Sequence, residues 1–191
     1  MIFGLTEVTA WPDLILAGPI LGAPHAAMVV EYMSRKGVDS FLSLGLCGSL
    51  QPGLGWGDLV VPETALSEEG TSALYPLDDG PAGADPGLLS RLTRVLTGTG
   101  HDFQTGRVWS TDAPYRETRD KVERHARSGI LAVDMETSAL MTVARFRNLA
   151  WAGLMVVSDE LWAEKWRPGF KSPEFKAGLA RAAEVVLAAL E

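Results

Sequence analysis

Residues 150–160 read AWAGLMVVSDE. From Ala150 to Val157 nearly every position is apolar. A strand with one wet face alternates apolar and polar residues, whereas a strand covered on both faces is apolar throughout. This stretch therefore predicts a buried strand in a sheet sandwiched by helices, with Ser158-Asp159-Glu160 at its carboxyl end. Similar but shorter strands are predicted at Leu14 to Ala17, Phe41 to Leu44, Asp58 to Pro62, Gln104 to Ser110 and Ile130 to Val133. The first ends in the breaker pair Gly18-Pro19. Helices are predicted between them. Residues 24–36 carry Pro24 in the first turn, Met28, Val29, Tyr32 and Met33 at helical spacing, and Gly37 as a C-terminal cap. Further helices run from Asp85-Pro86 to about Leu96, from Arg116 to Arg127, from Met135 to Arg147, and, amphipathically, from Pro173 to Leu190. Residues 76–87, PLDDGPAGADPG, form a loop. The alternation predicts one α/β domain over residues 1–191, its central sheet mixed but largely parallel and flanked by helices.

Composition narrows the function classes. The 191 residues include 47% hydrophobic and 21% charged side chains, so the chain can bury a sizeable core and disorder is excluded as its main state. Its net charge of -7 argues against a general nucleic-acid surface, which needs a cationic face. The single cysteine, Cys47, excludes an internal disulfide framework and a cysteine-built zinc site. The C-terminal apolar run, Val185 to Leu190, is far too short for a membrane span. MIFGLTEVTAWPD has no basic start before an apolar run, so no secretory signal is expected and the cytoplasm is the default location.

Ligands of such folds bind at the carboxyl ends of the strands. That selects Gly18–His25, Gly45–Ser49, Ser110–Tyr115 and Ser158–Asp159. Asp159 beside an apolar pocket suits acid/base work; equally, Ser158 or Asp159 could cap a following turn. Glu136 falls in a first helical turn, where the dipole alone accounts for a negative charge. It could also accept hydrogen bonds from two neighbouring sugar hydroxyls, with Met135 as an adaptable apolar surface. Gly45-Leu46-Cys47-Gly48 reads as a glycine-bounded turn that lets backbone amides approach a ligand, and Cys47 as a buried, inert thiol. The three histidines, His25, His101 and His125, lack metal-ligand spacing, and the latter two read as surface residues. Trp162 and Trp166 could line or lid a pocket. Tyr115 and Arg116 stand out from an otherwise solvated charged helix.

Together, in this order, the stretches LGAPHAAMVVEYMSRKGV, FLSLGLCGSLQPGLGWGDLVVP, EEGTSALY, WSTDAPYRET, LAVDMETSALMTVARF and AGLMVVSDE resemble the nucleoside phosphorylase/nucleosidase superfamily. The resemblance implies a nucleoside phosphorylase-like domain that cleaves the N-ribosidic bond of a nucleoside. Glu136, with Met135 and His25 beside it, would hold the ribose. Asp159 would give a proton to purine N7. Ser158, Cys47, Gly48 and Tyr115 would bound the base. No cofactor is implied, phosphate being a possible co-substrate. The partners implied are a small-molecule nucleoside and further copies of the chain, in a dimer or trimer of dimers whose neighbours complete each site; no nucleic acid or membrane is implied.

Two departures bear on the nucleophile. The family's N-terminal Gly-Asp-Pro-x-Arg segment has no counterpart in MIFGLTEVTAWPD, so the domain is expected to be N-terminally shortened. The family's strand arginine is replaced by Ser43, and a hydroxyl residue by Leu46. Gly22 and Ser43 are what remains of a phosphate side, and losing guanidinium contacts to a dianion is a serious loss. Phosphorolysis is the family default; the missing arginines favour hydrolysis, with Glu7 the only acid in the first 12 residues. A nucleoside- or nucleobase-binding protein without turnover is the alternative of a different class, and an unrelated α/β ligand-binding domain a third.

Overall fold

The computed structural model describes residues 4–190. A hairpin of β1 (Glu7–Ala10) and β2 (Ile15–Gly18) leads into α1 (Ala23–Ser34), followed by β3 (Ser40–Ser49) and β4 (Leu59–Glu68). After α2 (Pro86–Gly98) come β5 (Phe103–Thr111), α3 (Arg119–Arg127), β6 (Ala132–Asp134) and α4 (Thr137–Phe146). The chain ends in β7 (Ala150–Glu160), the short β8 (Arg167–Pro168) and α5 (Pro173–Ala188).

The sheet has the order β3-β6-β5-β4-β7-β8, and β3 also pairs with β7. That extra pairing closes β3, β6, β5, β4 and β7 into a ring. The two long ladders are parallel: β3 with β7 from Ser40↔Ala150 to Ser49↔Glu160, and β4 with β5 from Leu59↔Phe103 to Glu68↔Thr111. The short β5–β6 pairing is also parallel, while β3–β6, β4–β7 and β7–β8 are antiparallel. The mixed, largely parallel sheet is as expected; its closure was not foreseen.

Closure explains why β7 is apolar throughout. Successive side chains of a strand point to opposite faces. Met155 and Val157 point inward, where they meet Cys47, Leu54, Val60, Val108 and Ala132. Leu154 and Val156 point outward, where α2 and α5 cover them through Leu92, Leu96, Phe175, Ala182 and Val185. At the strand's start, Trp151 packs under α1 and α4 with Ala26, Val30, Met141 and Val143. Burial of each such side chain contributes about 1.5–3 kcal/mol.

Helix boundaries follow their caps. Asp85 Oδ1 accepts from the Leu88 amide at 2.9 Å and Pro86 opens α2. Ser172 Oγ accepts from the Phe175 amide at 3.0 Å and Pro173 opens α5. Gly37, at φ 89°, ends the turn after α1 as anticipated.

Several expectations are corrected. The strand near residues 14–17 pairs only with β1, outside the main sheet. Gly45–Gly48 is not a turn but part of β3, and Ser158–Asp159 continues β7 rather than ending it. The helix placed at Arg116 begins at Arg119, after a 3-10 turn at Pro114–Arg116. His125 is buried, with its ring 4.6 Å from Trp109 and Nε2 3.3 Å from Glu68 Oε1.

Helix α5 reaches the sheet at a contact between two glycines. A Cβ on Gly178 would strike the carbonyl of Gly57, and one on Gly57 would strike the Glu174 carbonyl. Gly57 also sits at φ 84°, where a side chain is strained. Gly178→Ala should therefore destabilise the fold by about 1–3 kcal/mol, although alanine favours a helix by about 1 kcal/mol. A fall in the urea midpoint checks this; a rise would mean that α5 is free to shift.

Candidate active site

The β3–β7 ladder carries one irregularity. Cys47 pairs with Val157, but Gly48 pairs with Asp159, so Ser158 is the extra residue of a bulge. Bulges re-aim the side chains beside them. Ser158 Oγ turns back to donate to the Cys47 carbonyl at 3.2 Å and lies 2.7 Å from Asp159 Oδ1. Asp159 is left half-buried at the rim of the closed sheet. Its other oxygen, Oδ2, accepts from Trp166 Nε1 at 2.7 Å. A side chain on Gly48 would run into Leu161 and crowd Asp159 Oδ2, so the close approach needs glycine.

The second carboxylate stands where β6 meets α4. Asp134 is buried, and its oxygens accept from Ser110 Oγ at 2.5 Å and from the Thr137 amide at 2.8 Å. Ser110 Oγ in turn accepts from the Ser138 amide at 2.9 Å. Glu136 therefore projects from a start of α4 that is fixed by its neighbours. Glu136 Oε1 accepts from the Gly22 amide at the start of α1, at 2.5 Å. Burial, reinforced by the charge of Asp134, pushes the Glu136 carboxyl up to about 7 against the pull of the Gly22 amide.

A third acid joins them. Glu117 follows the Pro114–Arg116 turn, and burial together with the charge of Asp159 pushes it up to about 7, Lys121 acting in the opposite sense. Glu69 lies behind the site. It accepts from Ser67 Oγ at 2.7 Å, the Thr71 amide at 2.6 Å and Ser138 Oγ at 3.0 Å. Burial works to raise its pKa, yet hydrogen bonds from Ser72, Ser67 and Ser138 hold it below the ordinary glutamate value.

The strand-end rule thus brings Ser158, Asp159, Gly48, Met135, Glu136 and Gly22 to one rim. Other expected members are placed differently. The Cys47 side chain belongs to the sheet interior, 2% exposed, where burial pushes its thiol well up. Only its backbone, through the bond to Ser158, joins the site. Tyr115, expected to wall the base, is fully exposed in the single chain. His25 sits beside the rim, but both ring nitrogens are engaged. Nδ1 accepts from the Leu21 amide at 3.2 Å, so Nε2 carries the hydrogen and faces Thr6 Oγ1 at 2.6 Å. Gly22 gives its amide to Glu136 rather than leaving it for an anion. Ser43 lies within β3 opposite Gly153, well below the bulge. Glu117 and Glu69 were missed, although Glu69 stands in the quoted EEGTSALY stretch and Glu117 directly follows the marked Tyr115-Arg116 pair. Among the described residues, no group of acidic, histidine or cysteine side chains could hold a metal ion.

A closed mixed sheet, helices on its outer faces and two strand-end carboxylates on one rim define an α/β protein of the nucleoside phosphorylase type. The chain belongs to the Phosphorylase superfamily, whose sequence profile it matches over residues 10–191. It is 34% identical to a guanosine phosphorylase of Halorubrum lacusprofundi over 151 residues, 79% of this chain and 63% of that protein. The chain thus spans less than two thirds of that relative. A uridine phosphorylase of Vibrio fischeri superposes with a TM-score of 0.82 at 27% identity, covering 97% of this chain and 78% of that one. An AMP nucleosidase of Bacteroides thetaiotaomicron gives a TM-score of 0.79 at 25% identity, covering 97% and 74%.

The raised carboxyl of Glu117 has a measurable consequence. Folding raises its pKa, so the folded state binds the proton more tightly than the unfolded chain does. The stability this provides is present at low pH and is lost as pH rises towards and through about 7. Glu117→Gln, which mimics the neutral acid, should stabilise the protein at pH 8 by about 1–3 kcal/mol and change little at pH 5. Thermal melts of both proteins at the two pH values check the sign; equal shifts at both would mean that Glu117 is ionised freely.

Proposed function

We propose that the protein cleaves the N-ribosidic bond of a purine nucleoside, with water as the nucleophile. The observation that carries this is the placement of Asp159, at the β7 bulge, on the same rim as Glu136 at the start of α4. The ribose 2′- and 3′-hydroxyls donate to Glu136, whose carboxylate has lone pairs for both. Met135 lies against the sugar. Asp159 addresses N7 of the base, with Gly48 allowing Leu161 to pack closely beside it and Ser158 steadying the other carboxylate oxygen.

As the bond from C1′ to N9 breaks, its electron pair passes to the purine. A proton from Asp159 to N7 lets the base leave neutral, and well-placed acids give about 10²–10⁴-fold. Water adds to C1′ and gives up a proton that restores the acid, so nucleoside and water become purine and ribose. Phosphate would need paired cations to be desolvated. The amide of Gly22 is already bound to Glu136, and Ser43 offers only a short hydroxyl on β3. Phosphate affinity is accordingly proposed to be millimolar or poorer, about 4 kcal/mol of binding or less. A homo-oligomer and a cytoplasmic setting belong to the same proposal. Exposed Leu5, Leu16 and Leu21 around the hairpin, each more than 60% exposed, support a second copy there.

Product analysis tests the nucleophile. Purine nucleosides incubated with and without phosphate should yield free ribose at a rate that phosphate hardly alters. Stoichiometric ribose 1-phosphate would overturn the hydrolytic assignment. Asp159→Asn should lower kcat by about two to four logs while the fold is kept.

Glu136 makes binding depend on pH. In the empty site it is half-protonated near pH 7, and only the ionised form accepts from both hydroxyls. Nucleoside Kd should be about tenfold weaker at pH 6 than at pH 8, and Glu136→Gln should flatten that dependence. A wild-type profile that is flat over this range would remove Glu136 from the ribose.

A further inference from the structure

Trp166 lies between β7 and β8 and is 61% exposed, yet its Nε1 donates to Asp159 Oδ2 at 2.7 Å. A tryptophan that serves packing is buried; this one is held at the site by a single directed hydrogen bond. The segment that carries it is tied down at both ends. Arg119 Nη1 donates to the carbonyls of Trp162 at 3.2 Å and Ala163 at 2.6 Å. Arg167 pairs with Glu160 at 2.7 Å and lies over the Trp56 ring at 5.0 Å, while Trp56 Nε1 donates to its carbonyl at 3.2 Å. With the backbone pinned on either side, the exposed indole is the part that can swing.

The chemistry of the contact matters as much as its place. An indole N–H belongs to a five-membered ring fused to a six-membered one. A purine leaving after protonation at N7 presents the same arrangement, a five-ring N–H aimed at the acid that has just been discharged. Indole nitrogen donates only. While Trp166 is bound, Oδ2 must remain an acceptor and cannot carry the proton that N7 requires.

We propose that Trp166 is a tethered stand-in for the purine: it occupies Asp159 in the empty site, yields to an incoming nucleoside, and returns to displace the free base. Displacing the free base trades one N–H···O bond for another, so that step is not strongly uphill; an entering nucleoside, whose N7 only accepts, needs Oδ2 to take up a proton once the indole has left. This role rests on the nucleoside reading of the site.

Trp166→Phe keeps an aromatic side chain but removes the five-membered ring and its donor. Calorimetric titration with adenine, guanine and hypoxanthine should show the free base binding on the order of tenfold more tightly to the variant, with nucleoside KM lowered and product inhibition strengthened in step. In the wild-type NMR spectrum, the indole N–H signal that Trp166→Phe deletes should shift when base is added. Equal or weaker base binding by the variant would overturn the stand-in role while leaving the nucleoside reading intact. Binding by neither protein would overturn the nucleoside reading and the stand-in role with it.

Discussion

The extra residue in the β3–β7 ladder governs the rest of the site. Up to Cys47↔Val157 the two strands run in register, and their inward side chains fill the ring. If the register continued unbroken, Asp159 would fall on the same side as Val157 and its charge would enter the apolar interior, at a cost of several kcal/mol. The bulge at Ser158 shifts the pairing at the rim, so the carboxylate emerges half-solvated beside Gly48. The Ser158 hydroxyl spans the irregularity by bonding the Cys47 carbonyl. One inserted residue thus reconciles an apolar strand with an acid at its tip.

The opposite side of the rim is positioned by a buried polar chain rather than by packing. Glu69 after β4, Ser138 on α4, Ser110 on β5 and Asp134 on β6 are joined by successive hydrogen bonds. A buried network of this kind holds its members in one arrangement because each unsatisfied group would cost about 1–3 kcal/mol. The network fixes where α4 begins, and so the place from which Glu136 projects. The Gly22 amide then links that carboxylate to the start of α1.

Legibility in the sequence followed the range of the forces involved. β7 could be read because both its faces are apolar, and α2 and α5 because Asp85-Pro86 and Ser172-Pro173 act locally. Ring closure was illegible: it depends on two-residue pairings of β3 with β6 and of β4 with β7, and no local pattern encodes which strands become neighbours. Gly45 and Gly48 looked like turn residues because glycine usually marks turns, yet at Gly48 it marks close approach to Leu161 and Asp159 within a strand. The same limit explains His125, whose charged neighbours in sequence conceal that it shares the buried face of α3 with Val122. In the site, Asp159 and Glu136 were marked by their positions at element ends. Glu117 and Glu69 were not, because their protonation depends on burial and on Asp159, Ser67, Ser72 and Ser138, which the fold brings to them. Tyr115 was marked for standing at the strand-end side of its segment, and in the single chain it is fully exposed.

The electrostatics of the rim bear on which nucleophile it favours. A cation near a carboxylate stabilises its charged form and lowers its pKa; burial and neighbouring acids do the opposite. Glu136 is raised to about 7, and the opposing influences on it are backbone amides of Gly22 and Met135, not a lysine or arginine. Asp134, next to it, is raised by burial despite hydrogen bonds from Ser110 and Thr137. Among the described residues, then, no positively charged side chain is among the influences on Glu136, on the side proposed for the ribose. In the proposed reaction, phosphate attacking C1′ would have to come close to these carboxylates, adding to the repulsion from Asp134 that reinforces the effect of burial on Glu136. Water brings no such charge, and the proton it releases has nearby acceptors in the same acids. Among the described residues, the groups that oppose the rise at Glu136 are backbone amides, which stabilise a carboxylate less than a guanidinium would.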